Sequence, residues 1–94
     1  LGCLGKMTEY KGTVRLLLSR WVKEVRTHNS WKQWKMAEAL RVSDRAYSDL
    51  EHWKYCFSAI SLLFLLLVMT PEQRDEMLRE FAALVSLLED QEAV

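Results

Sequence analysis

The chain has 94 residues, of which 50% are hydrophobic and 28% charged, and its 13 Lys/Arg are balanced by 13 Asp/Glu. This length and composition predict one domain with a real hydrophobic core and exclude a disordered chain. Three Gly and one Pro argue against a loop-rich sandwich, a repeat protein or a flexible linker.

The charges are unevenly distributed along the chain. Residues 1–42 hold nine Lys/Arg and three Asp/Glu, a net charge of +6, whereas residues 43–94 hold four and ten, a net charge of −6. The asymmetry fits one face that approaches an anionic surface, or two oppositely charged faces that are simply solvated.

Two cysteines, Cys3 and Cys56, do not form a disulfide framework and indicate a reducing, cytoplasmic setting. The run ISLLFLLLVM at residues 60–69 is about half a bilayer span, so it predicts a buried helix and no membrane anchor. Residues 1–6 lack the apolar region of a signal peptide. Residues 1–12 are expected to be an N-terminal extension, either disordered or a remnant of expression.

Helical periodicity begins at Gly12. Apolar residues recur at i, i+3, i+4, i+7, i+8 and i+11 over residues 14–25, the pattern of an amphipathic helix that ends near residues 28–30. Ser30 and Gln33 have the spacing of a capping box, which predicts that a second helix begins there. Its inward-facing candidates are Trp31, Met36, Ala37 and Leu40.

Residues 41–43 separate the second helical pattern from the third, a spacing typical of a helix–turn–helix. Ser43 is the predicted N-cap of the third helix, and Asp44 in its first turn is favourable to the helix dipole. Tyr47 and Leu50 are its inward pair.

After a connection at residues 52–57, Ser58 can cap a fourth helix that extends to Met69 and is apolar nearly all round. The segment Thr70-Pro71-Glu72-Gln73 combines a capping Thr, Pro at the first helical position and Gln two positions later. The fifth helix carries Met77, Phe81, Leu84, Val85 and Leu88 on one face. Five helices without strands predict an all-α fold.

The string WKQWKMAEALRVSDRAYSDLEHWK resembles the L-T-Q-x-x-L-A-x-x-L-G-V-S-x-x-x-I-S-x-I-E-x-G-K pattern of the lambda-repressor-like (Xre/Cro-type) helix–turn–helix regulators of bacteria and phages. The resemblance covers about residues 14–69. It implies a five-helix lambda-repressor-like fold, with a DNA-binding domain at residues 13–69 and an amphipathic C-terminal helix at residues 70–94 that packs on the domain or on a dimer partner. The matching positions are Gln33, Met36, Ala37, Leu40, Val42, Ser43, Tyr47, Ser48, Leu50, Glu51 and Lys54.

The resemblance implies a sequence-specific transcriptional regulator, a repressor, whose recognition helix at about residues 43–52 enters the major groove. It also implies a homodimer on a palindromic operator. From the residues themselves, no enzymatic activity, cofactor, metal site or membrane contact is expected, because no metal-ligand spacing, Gly-rich phosphate loop or nucleophile beside a base occurs in the sequence. Arg45 is the strongest candidate reader of a base, whereas Asp44 and Asp49 weaken the attraction to phosphates. The implied DNA contacts are Lys32, Gln33, Lys35, Ser43, Asp44, Arg45, Ala46, Ser48, Asp49 and Lys54.

Two residues stand where the family has Gly. These are Arg41 in the turn and Trp53 after the third helix, and a left-handed conformation at Arg41 costs roughly 1 kcal/mol for a residue other than Gly. The resemblance also implies that Glu51 accepts a hydrogen bond from Arg26 of the first helix. It gives no reason from spacing for that pairing.

The loop HWKYCF at residues 52–57 is unusually apolar for this family. Trp53 and Phe57 either pack back on the domain or contact a dimer partner or another protein. The alternative function is therefore a protein-interaction module or an antitoxin that keeps the fold and binds a protein. Of Trp31 and Trp34, one is expected in the core and one half-exposed, unless they stack on a base or ligand. The candidate interface residues are Trp53, Phe57, Phe64, Leu67, Phe81 and Leu88.

Overall fold

Five helices in chain order make up the computed structural model, which describes residues 2–54 and 57–93, with side chains over residues 7–54 and 57–90. The all-α class and the order of five helices are confirmed, and no strand occurs in the described part of the chain. Cys3 and Cys56 lie outside the described side chains. The helices are α1 (Gly2–His28), α2 (Gln33–Leu40), α3 (Asp44–Glu51), α4 (Ala59–Val68) and α5 (Pro71–Ala93).

The two long helices α1 and α5 lie antiparallel and set the 45 Å length of the molecule. Glu80 of α5 joins them near the middle, where its carboxylate accepts hydrogen bonds from Arg20 at 2.6 Å and from the Trp21 indole at 2.7 Å. Towards the other end, the Tyr10 hydroxyl donates to Glu89 at 2.5 Å. The short helices α2 and α3 pack on each other, with α1 behind α3 and α4 beside α2.

Helix α1 begins at Gly2, ten residues before the start that the apolar pattern indicated at Gly12. A Gly inside a helix costs only about 1 kcal/mol relative to Ala, so Gly12 does not end the helix. The turns of α1 before Gly12 also contact α5, because the Tyr10 hydroxyl donates a hydrogen bond to Glu89. Periodicity missed this segment because it carries no apolar stripe.

The core lies where α1, α2 and α3 meet, and side chains of α4 and α5 complete it. Of the predicted inward residues, Met36, Ala37 and Leu40 of α2 and both members of the α3 pair are buried, as is the apolar stripe of α1 from Leu17 to Val25. Ala37 is 1% exposed, at a point where α2 packs on α3 and a large side chain would separate the pair. The core comprises Leu17, Leu18, Trp21, Val22, Val25, Met36, Ala37, Leu40, Tyr47, Leu50, Leu65, Met69 and Met77.

Three of the four predicted N-caps are confirmed. The Ser43 hydroxyl accepts from the Ala46 amide at 3.1 Å, and the Ser58 hydroxyl accepts from the Ser61 amide at 3.2 Å. At α5, Thr70 and Gln73 form a reciprocal capping box with hydrogen bonds of 3.1 and 2.9 Å. These caps fix where α3, α4 and α5 begin.

The predicted capping box of Ser30 and Gln33 is wrong. Ser30 has a φ of 57° and belongs to the end of α1, where its amide donates to the Thr27 carbonyl. Lys32 is the N-cap of α2 and supplies no side-chain hydrogen bond to it. Trp31 therefore precedes α2, where it is half-buried against the core, and does not belong to the inward face of that helix.

Helices α1, α2 and α3 all end in the same hydrogen-bond pattern, with a left-handed residue that is not Gly. At α2, the Arg41 amide donates to Glu38 and the Val42 amide donates to Ala37, the paired bonds of a Schellman motif. Arg41 has a φ of 63°, so this residue adopts the left-handed conformation. The left-handed residues are Ser30, Arg41 and Trp53.

The carboxylate of Glu51 joins three helices. It is 3% exposed and accepts hydrogen bonds from Arg26 of α1 at 2.7 Å, from Gln33 of α2 at 3.1 Å and from the Tyr47 hydroxyl one turn earlier in α3. The pairing with Arg26 that the resemblance implied is confirmed. Arg26 also donates to the Trp31 carbonyl at 3.2 Å, which ties the loop before α2 to the same group.

Replacing Glu51 by Gln should lower the free energy of unfolding by about 3 kcal/mol, because it leaves the Arg26 cation half-buried without its counter-ion. Urea unfolding followed by circular dichroism measures the loss. The matched control is Glu76→Gln, whose carboxylate pairs with Arg79 on the exposed face of α5 and should contribute less than ~0.5 kcal/mol. Equal losses in the two variants would contradict the role given to Glu51.

Burial, together with the hydrogen bond to Glu51, raises the pKa of Tyr47 above its usual value of 10.0. The folded state thus holds this proton more tightly than the unfolded state. The stabilisation is fully present below about pH 10 and is lost as the pH rises further. We expect Tyr47→Phe to be less stable than the wild type at pH 8, by about 1–2 kcal/mol, with a difference that shrinks above pH 10. A difference that stays constant up to pH 11 in urea unfolding would show that Tyr47 does not carry this dependence.

Candidate nucleic-acid interface

The outer face of α3 is defined by what its inner face buries. Tyr47, Leu50 and Glu51 point into the domain. At about 100° per residue, the positions one or two residues away from these therefore face away from the domain. Arg45 is exposed in the first turn, beside Asp44. The outer face consists of Asp44, Arg45, Ser48, Asp49 and His52.

The start of α2 lies beside the end of α3, because the Gln33 amide donates to the Glu51 carboxylate. Gln33 is thus partly engaged in holding the domain together, although it was predicted as a DNA contact. Lys32 and Lys35 are exposed on either side of it. Because α2 has no side-chain cap, its first backbone amides and these two cations form a region that favours an anion.

The face formed by α2 and α3 is close to neutral. Its cations are Lys32, Lys35, Arg45 and Lys54, and its carboxylates are Glu38, Asp44 and Asp49. Lys54 lies 3.8 Å from Asp49, so these two charges offset each other. Glu51 is buried and does not contribute to the surface charge.

The Arg41 guanidinium lies 4.4 Å from the centre of the Phe64 ring on α4. It also donates to the Glu38 carbonyl at 2.9 Å, so it is turned away from α3. Such a cation–π contact is worth about 0.5–1 kcal/mol at an exposed site. The Arg41 side chain in the turn therefore serves the contact between α2 and α4.

The ten predicted DNA contacts fall on one exterior region, formed by α2, α3 and the loops that adjoin them. Most are exposed, whereas Ala46, Ser48 and Asp49 are half-buried. The Ser43 hydroxyl is already engaged as the N-cap of α3. Ser43 and Gln33 are therefore already hydrogen-bonded within the domain.

The predicted interface residues do not form one surface. Phe57 and Phe81 pack partly on the chain's own core, and Leu88 is half-buried on α5. Trp53 and Leu67 are 57% and 76% exposed, and Phe64 lies under Arg41. The HWKYCF loop is therefore split, since Phe57 contacts the core while Trp53 points outward; Tyr55 and Cys56 lie outside the described residues.

The predicted interface residues do not include several exposed apolar side chains of α2 and α4. Trp34 on α2 is 53% exposed, and Ile60 and Leu63 on α4 are 66% and 62% exposed. The uncharged sequence of α4 was a signal for an uncovered face. The expectation for the tryptophan pair is met only in part, because Trp34 is exposed as one member was expected to be, whereas Trp31 is half-buried, with Lys35 5.8 Å from its ring.

Other kinds of site have little support in the described residues. No three His, Cys, Asp or Glu side chains there stand close enough to hold a metal ion. No described helix combines the length and apolar character that crossing a membrane requires. A cavity of about 240 Å³ between α1, α4 and α5 is lined by apolar side chains alone, without the polar groups that usually orient a ligand.

No protein-family model matches the chain, and neither a curated protein nor a solved structure matches it. The resemblance to the lambda-repressor-like regulators therefore stays a prediction from the residues that carry it.

Trp53 offers a direct test of the left-handed helix end, because its side chain is mostly exposed and its φ is 65°. We expect Trp53→Gly to be more stable than Trp53→Ala by about 1 kcal/mol, since only Gly adopts this conformation without strain. Thermal or urea unfolding of both variants measures the difference. If Ala equals Gly, the backbone at residue 53 is not held in the left-handed region.

Proposed function

We propose that this protein is a sequence-specific DNA-binding transcriptional regulator, a repressor, that inserts α3 into the major groove. The observation that carries the proposal is the division of α3 between two faces. Its inner face is fixed to α1 and α2 through Glu51, and its outer face presents Arg45 between polar side chains. A rigidly held helix with an exposed polar face is what base recognition requires.

Arg45 is the proposed base reader. It is exposed in the first turn of α3, and the N-terminal residues of a recognition helix are those that contact base edges. A guanidinium that donates two hydrogen bonds to guanine discriminates by ~1–3 kcal/mol. Asp44 and Asp49 can accept from the amino group of cytosine, which adds selectivity without adding general affinity.

Lys32, Lys35 and Lys54 are the proposed phosphate contacts. The first two flank the uncapped start of α2, which favours an anion. The carboxylates on the same face reduce the attraction that does not depend on sequence. We therefore expect binding that is weak on random DNA and strongly dependent on the operator sequence.

In this proposal the protein acts in the cytoplasm as a homodimer on a palindromic operator. Two copies related by a two-fold axis would place their α3 helices at half-sites about 34 Å apart, one turn of DNA. The operator is therefore expected to be a palindrome with that spacing.

A second candidate function is a protein-interaction module, including an antitoxin. Trp53 favours it, because a large aromatic side chain in a left-handed conformation is uncommon and here points into solvent. Residues held in such conformations cluster at functional sites. The near-neutral face of α2 and α3 is consistent with this alternative too.

The test is selection of bound duplexes from a random-core library at low salt, followed by fluorescence anisotropy of the enriched sequence at two salt concentrations. We expect a palindrome, and a loss of ~1–3 kcal/mol for Arg45→Ala with relaxed preference at one base pair. The matched control is Arg79→Ala, which removes a more than two-thirds exposed arginine from α5 and should change binding little.

Two results would contradict this assignment. Absence of an enriched sequence would exclude a stand-alone DNA reader and favour the protein-interaction alternative at Trp53. An enriched sequence whose affinity falls equally in Arg45→Ala and Arg79→Ala would keep DNA binding but remove Arg45 as the base reader. The salt dependence separates the two kinds of contact, because Lys35→Ala should reduce its slope by about 1.

A further inference from the structure

Helix α4 exposes an apolar face that nothing in the described chain covers. Its sequence AISLLFLLLV has no charged residue. Ile60, Leu63 and Leu67 are 66%, 62% and 76% exposed, and Phe64 is half-buried between them. These four residues stand at i, i+3, i+4 and i+7 and line one shallow groove, here named the α4 seam. Contiguous apolar patches of this kind on soluble domains usually mark an interaction site.

The opposite face of α4 is firmly attached to the domain, so the seam does not result from a loosely packed helix. Leu65 is fully buried and Ser61 nearly so, and the Ser61 hydroxyl donates to the Leu40 carbonyl of α2 at 3.0 Å. At the other end, the Arg74 guanidinium donates to the Leu66 and Met69 carbonyls at 2.6 and 3.2 Å. The seam is thus held in a fixed orientation.

We infer that the α4 seam is covered by the α4 seam of a second copy of this chain, antiparallel about a two-fold axis. The inference rests on the proposed function in that it specifies the partner and the contact of the proposed dimer, although the pairing itself needs no DNA. The spacing of the seam supports it. Reversing the helix places Ile60 against Leu67 and Leu63 against Phe64, so the surface complements itself.

The charges around α4 also favour a second copy in this direction. Arg41 lies over Phe64. The first turns of α5, which follow the C-terminal end of α4, carry one cation, Arg74, and three exposed carboxylates, Glu72, Asp75 and Glu76. Antiparallel pairing brings Arg41 of one copy towards the acidic end of the other, and the two helix dipoles also oppose each other favourably. Because α4 has no charge of its own, no like charges are buried when it meets its own copy.

The size of the seam predicts the strength of the dimer. A standard interface involves roughly 20–30 residues on each side, whereas the seam has four residues with a few flanking groups. We therefore expect a micromolar dimer that exchanges with the monomer in free solution. On a palindrome, the second copy binds at high effective concentration, so DNA would strengthen the pairing.

The test is sedimentation of the full chain without DNA, from about 1 µM to about 500 µM, a range that brackets a micromolar dissociation constant. The expected result is a sedimentation coefficient that rises with concentration to that of a dimer. Leu63→Glu and Leu67→Glu should weaken the dimer roughly tenfold or more, since each places a carboxylate in the seam. The matched control is Leu87→Glu on α5, where Leu87 is 60% exposed and outside the seam. Circular dichroism checks that all variants keep their helices.

Crosslinking then determines the direction of the pairing. In a background with Cys3→Ser and Cys56→Ser, Ile60→Cys and Leu67→Cys chains are oxidised separately and as a mixture. An antiparallel seam gives a disulfide only in the mixture, because a disulfide needs Cα atoms within about 7 Å. The background must retain the dimer of the unchanged chain.

Three outcomes overturn the inference. The first is a monomer throughout the concentration range, and the second is a dimer that Leu87→Glu weakens as much as Leu67→Glu. The third is a disulfide between residue 60 of one copy and residue 60 of the other. A monomer that still selects an operator would contradict the α4 pairing but not the proposed DNA-binding function. A dimer through the α4 seam that selects no DNA would contradict the proposed function but not the pairing. The two proposals therefore fail separately.

Discussion

The orientation of α3, and with it the composition of the candidate interface, depends on the buried carboxylate of Glu51. Its two oxygens accept from Arg26, Gln33 and Tyr47, so a single side chain fixes α3 against α1 and α2. A buried carboxylate is expensive unless all its partners are present, and this one has three. The arrangement specifies one packing of the helices because a rotation of α3 would separate Glu51 from Arg26 and Gln33.

The ends of α1, α2 and α3 show a second constraint, which is strain in the backbone. Each ends in a left-handed residue where Gly would be most stable, and each uses another residue instead. At Arg41 the side chain gains a contact with Phe64 and a hydrogen bond to Glu38, which offsets part of the strain. At Trp53 no such gain is visible in the described residues, and the exposed ring is therefore the better candidate for a contact outside the chain.

The fold partly explains why the two halves of the sequence carry opposite charges. The basic α1 lies against the acidic α5, and Arg20 pairs with Glu80 at 2.6 Å. This ion pair is partly exposed and adds little stability by itself, but it sets the register of the two long helices together with the Trp21 indole. Less of the excess positive charge is then available to the face of α2 and α3, which is nearly neutral.

The sequence by itself determined the features that depend on neighbouring residues. The N-caps Ser43, Ser58 and Thr70–Gln73 were predicted correctly because a capping side chain and the amide that it accepts from lie within three residues. The apolar stripe of α1 was predicted correctly because helical periodicity is also local. The predicted N-cap at Ser30 was wrong because this residue could belong either to the end of α1 or to the start of α2, and in the fold it ends α1. The Arg26–Glu51 pair was expected only through the resemblance, since 25 residues separate the two and no local rule joins them. Only the tertiary structure decided which side of α4 is exposed: Leu63 and Leu65 are chemically identical, and packing on α2 buries one of them and leaves the other in solvent.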